Sequence, residues 1–537
     1  MDADGLAHRA NAPTPRRESP PTARLDDGSA APPGRGPLVV QVALLAALLA
    51  LTLPFAIYAI ARMASPASIE YNEGWNTYHT ARLLAGEPLY TPVRPMLPII
   101  PVNYPPTSFF VTAALAPAFG SILLAGRVIS LAAWLTIGAL LVAIVHRETR
   151  QWLAALGAAL LWVALLAHMA NEWAASHEPQ LLGHVLSVLA LYLYVCWRPT
   201  VTPWRAVMLA LLCVLGLTVK HILLPVPLTL ALMLLFTNRR AFGAFAATGI
   251  AASAAFLAAW WAWTAGVFVS NVIDFDRQGS FARAGREVDN LFRRDMLWPI
   301  LLPALSVPWR ATHWSWALLY LVISLGLGVY WSQGTGVSRN GWFDLFIAAS
   351  IVFGLLLGSL RSLTGARRWL AYASAVLILL PFAYNTWYDG GDVLDYAALR
   401  SGGEAYRQDV ALLRSLDGPA LYEDLLLGYD AGKDFLVDPF LATQLMLAGR
   451  LPEAALLDPI RHQDFKVIVL NADLQRRLRA LAAAPSSGGP PQTTAAERWT
   501  DNTLRAILDG YELLDTGRRS HYFYVPRHGV AASRASG

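Results

Sequence analysis

Between Leu38 and Tyr384 the chain is a succession of apolar runs parted by short polar breaks. A helix of about twenty apolar residues spans the hydrocarbon core of a bilayer, and helices satisfy their own backbone where no water can. This pattern predicts a polytopic α-helical membrane protein. The chain is 55% hydrophobic and only 15% charged, which excludes an ordinary soluble domain. Tryptophan and tyrosine, 19 of each, gather at many run ends, where amphipathic rings prefer the headgroup region. The net charge of +5 is spread through the breaks between runs, so it is not the footprint of a nucleic-acid partner.

The runs place about eleven spans near 38–64, 124–145, 152–170, 180–197, 204–219, 222–237, 241–266, 296–309, 314–331, 341–360 and 368–384. Every second break carries arginine: "HRETR" (146–150), "WRPTVTPWR" (197–205), "TNRR" (237–240), "PWRATH" (308–313) and "RSLTGARR" (361–368). By the positive-inside rule these breaks and the Arg-rich N-terminus are cytoplasmic, and the remaining loops are extracytoplasmic. Residues 1–37, rich in Pro, Ala and Arg, are expected to be a disordered cytoplasmic segment. Cys196 and Cys213 lie in apolar runs and imply no disulfide framework.

The membrane domain is expected over 38–388, with an outer first loop near 65–120. Residues 389–537 return to ordinary charge density, with a helix-like "YRQDVALLRSL", the strand-like "FKVIVLN" and "HYFYVP", and a loop at "PSSGGPPQTT". They predict a small C-terminal α/β domain on the outer face.

The first loop holds "IEYNEGWNTYHTARLLAGEPLY" (69–90). Asn72 is a suitable N-cap, Gly86 can close a helix and Pro88 stops it, which predicts a short helix over 73–85 lying in the membrane interface. A second amphipathic segment is expected at 107–119. Further polar groups fall on the same side: Arg94, Tyr104 in "NYPPTSFF", His177 and Glu178 in "NEWAASHEPQ", and Lys220 with His221. Ionisable groups at such depth are costly, and they mark substrate pathways or sites.

In this order the segments resemble the GT-C superfamily of polytopic glycosyltransferases, which includes the protein O-mannosyltransferases and the lipid A aminoarabinose transferases. "EYNEGWNTYHTARLLAGEPLY" is similar to the superfamily's first outer loop, and "NYPPTSFF" to the Pro-Pro segment that follows it. "SHEPQLLGHVLSVLALYLY" is similar to the second-loop acid and its helix, and "TVKHILLPVPLTLALMLL" to a Lys-containing segment.

The resemblance implies inverting transfer of a sugar from a polyprenyl-phosphate-linked donor to an acceptor hydroxyl on the outer face of a bacterial inner membrane. The acceptor is a lipid, a glycan or a protein. Glu73 is then the expected general base, with Glu70 in reserve, because a hydroxyl is a poor nucleophile until its proton is taken. Glu178 would orient the acceptor or help hold a divalent metal ion. Lys220, Arg94 and Arg82 would meet the phosphate; Glu70, Tyr104, His177, His221 and Asn340 complete the expected substrate-binding set.

"DFD" (274–276) has no Rossmann-like surroundings and reads as a solvated loop; the arginines of 277–294 could grip a lipid phosphate. The rival classes are a polytopic lipid or solute transporter or flippase, which would show symmetry between halves, and an inactive sugar-binding scaffold.

Overall fold

In the computed structural model, residues 35–275, 278–309, 313–388, 390–483, 498–514 and 520–527 are described. Most of the N-terminal segment, the 485–494 loop, Asp276 of "DFD", Arg277 and the expected domain boundary at Asp389 fall outside them.

The chain opens with α1 (Arg35–Arg62), α2 (Asn72–Leu84), α3 (Thr107–Phe119), α4 (Ile122–Thr149), α5 (Trp152–Met169) and α6 (Gln180–Trp197). Next come α7 (Pro203–Leu217), α8 (Pro225–Thr237), α9 (Arg239–Thr264), α10 (Val267–Val272), α11 (Phe281–Asp289) and α12 (Pro303–Ser306). The bundle closes with α13 (Ser315–Trp331), α14 (Phe343–Ser359), α15 (Gly365–Leu377) and α16 (Leu379–Tyr388). Among the described residues, seven helical stretches are long and apolar enough to cross a membrane, and α3, α7, α8 and α13 are shorter apolar helices. The protein is thus a polytopic helical membrane protein.

Helix α14 is apolar all round and buried over nearly its whole length, as befits the axis of a bundle. Small residues let its neighbours approach. A Cβ on Gly354 would stand 2.9 Å from that of Ala158, and one on Gly157 would stand 2.5 Å from Leu357 Cδ1. Helix α9 buries only Ala241 and Phe245 and presents the rest of its apolar surface outward.

The expected helical span at 296–309 is corrected. Pro299, Pro303 and Pro308 interrupt it, leaving a turn of 3₁₀ helix (Trp298–Leu301) and the four-residue α12. The broken stretch packs against α14, where protein rather than lipid surrounds its backbone. It carries the chain from Asp295, paired with Arg339 at one end of the bundle, to His313, which lies 3.0 Å from Glu148 at the other.

The arginine-bearing breaks meet at that second end. Arg198 pairs with Glu148 at 3.1 Å, Gln151 donates to the Gly358 carbonyl at 2.7 Å, and Asn238 to that of Val201 at 2.9 Å. The first end gathers the other loops and carries the sheet domain.

That domain adds α17 (Gly390–Val393), α18 (Tyr396–Ser415), β1 (Ala420–Tyr422), α19 (Leu425–Asp430), α20 (Pro439–Leu447) and α21 (Ala454–Arg461). It ends with β2 (Val467–Asn471), α22 (Gln475–Ala483), α23 (Asp501–Gly510), β3 (Tyr511–Leu513) and β4 (His521–Pro526). The sheet order is β1-β2-β4-β3, with β1 parallel to β2 and the other pairs antiparallel. Leu421, Ile468 and Leu470 face a core closed by Trp499 and Ile507.

Helix α2 is a second correction. It is not laid open against lipid headgroups, because Glu73 through Thr80 are all buried between the bundle and the sheet domain. The domain supplies the missing partner surface: Tyr78 and Tyr422 share a hydrogen bond of 2.7 Å, and a Cβ on Gly74 would stand 2.2 Å from Leu426 N. Only glycine lets α2 and the start of α19 meet backbone to backbone. Asn72 is the first helical residue rather than the cap, and Tyr71, which precedes it, makes no side-chain capping bond.

Candidate active site

The loop between α1 and α2 is wound around one guanidinium. Arg127 of α4, 1% exposed, spends all five N–H groups on it. Its Nε and Nη2 donate to the two Glu73 oxygens at 2.8 Å each, and the remaining three N–H groups reach the carbonyls of Met63, Ser65 and Ala67 at 2.6–3.0 Å. Glu73 also accepts from Ile69 N at 2.6 Å and His177 N at 2.8 Å. Four donors therefore occupy a carboxylate of about four lone-pair sites, and the side chain is fully buried. This geometry makes Glu73 a brace that locks the first loop to the second.

Beside the brace runs a polar chain. Glu70 accepts from Asn72 N at 2.7 Å and from its Nδ2 at 3.1 Å, and the same Nδ2 lies 3.5 Å from Glu178 Oε2. Glu178, fully buried, takes Lys220 Nζ at 2.8 Å, and Lys220 stands 4.6 Å from the Tyr104 ring centre. Glu70, Glu178, Lys220 and Tyr104, four of the expected residues, thus come together from four separate stretches. Burial, and next the charge of Glu178, pushes the Glu70 carboxyl up to about 8.

Other expected residues stand apart. Arg82 is bound to Glu87 at 2.9 Å, and Arg94 is exposed at the edge. His177 packs against Gly126, where a Cβ would be 2.0 Å from its ring, and burial holds its imidazole down to about 3, hence neutral. Asn340 braces its own turn: its side chain accepts from Ser338 N, and its carbonyl from Gln180 at 2.7 Å. His221 lines cavities instead.

A small cleft walled by Tyr71, Asn72, Trp75, Tyr104 and Asp438 leads from this cluster to Asn103. Beyond Asn103 opens a cavity of about 520 Å³, lined also by His221, Phe275, Tyr330, Trp331 and Gln333. An apolar annex of about 170 Å³ between α7, α9 and α10 shares His221, Val272 and Ile273 with it. Among the described residues no three His, Cys, Asp or Glu side chains converge to hold a metal ion. Glu178, expected to orient the acceptor or to help hold a metal ion, is paired with Lys220.

No protein-family profile matches the chain, and no curated protein matches it. Solved structures do. ArnT from Cupriavidus metallidurans bound to undecaprenyl phosphate superposes with a TM-score of 0.52 at 14% identity, over 92% of this chain and 99% of that one. Its apo state gives 0.53 at 13%, over 91% and 97%. An Archaeoglobus fulgidus oligosaccharyltransferase in the apo form gives 0.47 at 11%, over 92% and 75%.

The chain has the GT-C fold.

Within this GT-C fold, sequence reading missed Arg127, the hub of the first loop. Its signal was present, since a lone arginine early in an otherwise apolar helix needs a buried partner. Asp438, Asp424 and His521 were missed too; they come to the head of the bundle only because the sheet domain docks there.

Proposed function

We propose that the protein is a glycosyltransferase that moves a sugar from a polyprenyl-phosphate-linked donor to an acceptor hydroxyl on the outer face of a bacterial inner membrane. The observation that carries this reading is the Glu70–Asn72–Glu178–Lys220 chain at the head of a bundle, joined by a cleft to a cavity with an apolar annex. The annex suits the first isoprenoid units, the larger cavity a sugar phosphate. ArnT, whose fold this chain shares, was solved with undecaprenyl phosphate bound. The arginine-bearing breaks at one end make that end cytoplasmic, and with it the N-terminus. The membrane domain is assigned to 38–388 and the outer domain to 389–537.

In this reading Glu70 rather than Glu73 is the general base, because the residue is partly exposed where Glu73 is fully buried, and its carboxyl is held up at about 8. Attack from the side opposite the phosphate inverts the anomeric carbon. Lys220 meets the charge that develops on the departing phosphate, and Glu178 holds Lys220 in place until the donor arrives. Glu73 and Arg127 fix the loop that carries the base.

The test is transfer of label from undecaprenyl-phosphate-linked sugars to envelope glycan acceptors in reconstituted vesicles. Glu70→Gln is expected to lower the rate by about 10²–10⁴-fold with donor binding kept. A wild-type protein that consumes no such donor, yet moves lipid across the bilayer, would be a flippase and would end this reading.

A further inference from the structure

Tyr71 follows Glu70 in the chain, and the sheet domain holds it from two sides. Its hydroxyl donates to Asp438 Oδ1 at 2.9 Å, and the Arg498 guanidinium stands 4.3 Å from its ring centre, within the reach of a cation–π contact. Tyr71 and Asp438 both wall the cleft that leads to the Glu70 cluster.

Each partner is fixed from within its own domain. Asp438 is buried and caps α20, accepting from Leu441 N at 3.0 Å. Arg498 directly precedes Trp499, which closes the sheet core, and Thr500, which caps α23. Its carbonyl accepts from Thr443 Oγ1 at 2.8 Å, and its Nη1 donates to Glu423 at 3.0 Å. Glu423, fully buried next to β1, also accepts from Asn471 N at 3.1 Å. The sheet therefore aims this guanidinium at the first loop, where a free surface arginine would wander.

Charge gives that aim a consequence. Glu178, Glu172 and Glu73 act on Glu70 as like charges and help to keep its proton on. The charge of Arg498 is supported by Glu423 in its own domain and, across the boundary, by Glu70. Attraction between two charges is mutual, so the guanidinium favours the ionised, proton-accepting form of Glu70.

We propose that Arg498 is a positioning residue for the transfer, reaching from the sheet domain to seat Tyr71 and to place a positive charge before Glu70. This role rests on the transferase reading above. Glu423 tempers it by taking part of the same charge, so the pair sets the balance at the base and a docked sheet domain is a condition of a working site.

The experiment follows the carboxylic C=O stretch of Glu70 by pH-difference infrared spectroscopy on the full chain in nanodiscs, without donor. The band is the one that Glu70→Gln removes, and its wild-type midpoint is expected near 8. In Arg498→Gln the cation is gone, and the midpoint should rise by about half a pH unit; in Glu423→Gln the cation is released, and it should fall by about as much. Arg498→Lys keeps a cation and should lie between the wild type and Arg498→Gln. Binding of undecaprenyl phosphate reports that each variant is folded. If Arg498→Gln, with Glu423 left unpaired, does not fold, Glu423→Gln and Arg498→Lys decide the question. A merely structural role would change the folded fraction and move no midpoint. A Glu423→Gln midpoint that stays or rises, or an Arg498→Gln midpoint that stays or falls, overturns the inference. A wild type that consumes no polyprenyl-phosphate donor ends the transferase reading and this role with it, whereas a donor-consuming enzyme with unmoved midpoints ends this inference alone.

Discussion

Replacing Glu73 by glutamine separates a brace from a base. Four donors lie within 2.8 Å of the carboxylate, two of them from an Arg127 side chain that is 1% exposed. In Glu73→Gln the amide turns two hydrogens toward groups that are themselves donors, and the guanidinium loses its counter-ion. Breaking a buried pair by removing one partner costs about 3–5 kcal/mol, a large fraction of the roughly 5–15 kcal/mol that holds a typical protein folded. The expected outcome is a variant that melts several degrees lower in a detergent thermal-stability assay and whose transfer activity falls in proportion to the folded fraction. Glu70→Gln, at a partly exposed site that carries no ion pair among the described residues, should melt close to the wild type and lose transfer. A Glu73→Gln protein with wild-type melting and abolished transfer would refute this division and return the base role to Glu73.

The pH profile offers a second check. Glu70, held up at about 8, accepts a proton only once ionised, so kcat/KM should climb as pH rises through that value. In Glu178→Gln the limb should move to lower pH, since a like charge has been removed; an unmoved limb would point to another base. His521 is a separate case: burial opposes its charge, but hydrogen bonds to Asp409 and Asp424 outweigh it and hold the imidazole up at about 9. Raised above its unfolded value, it contributes stability that is complete below about 6.5 and is lost as pH rises through 9. Limited proteolysis of the sheet domain should therefore speed up between pH 8 and 10 in the wild type and lose that dependence in His521→Gln. Gly74→Ala would put a Cβ 2.2 Å from Leu426 N and should cost at least about 2 kcal/mol by forcing α2 and α19 apart. Unchanged thermal stability in that variant would mean that the domain is not seated as described.

The sequence by itself determined the membrane class, the alternation of arginine-bearing breaks, and the presence of a small mixed domain at the C-terminus. Those properties follow from hydrophobic length, local charge and β-branched runs, each readable within about twenty residues. It also named Glu70, Glu178, Lys220 and Tyr104, because ionisable and polar groups beside apolar runs need a reason to be there. Tertiary structure decided the rest. A proline-broken crossing cannot be told from a helical span by hydropathy alone, since both are apolar. Whether α2 lies in an interface or in an interior depends on what covers it, and the cover comes from Tyr422 and Leu426, more than 340 residues away in the chain. The different surroundings of Glu73 and Glu70, three residues apart and alike in chemistry, come from Arg127: one carboxylate lies against its guanidinium and the other faces the cluster.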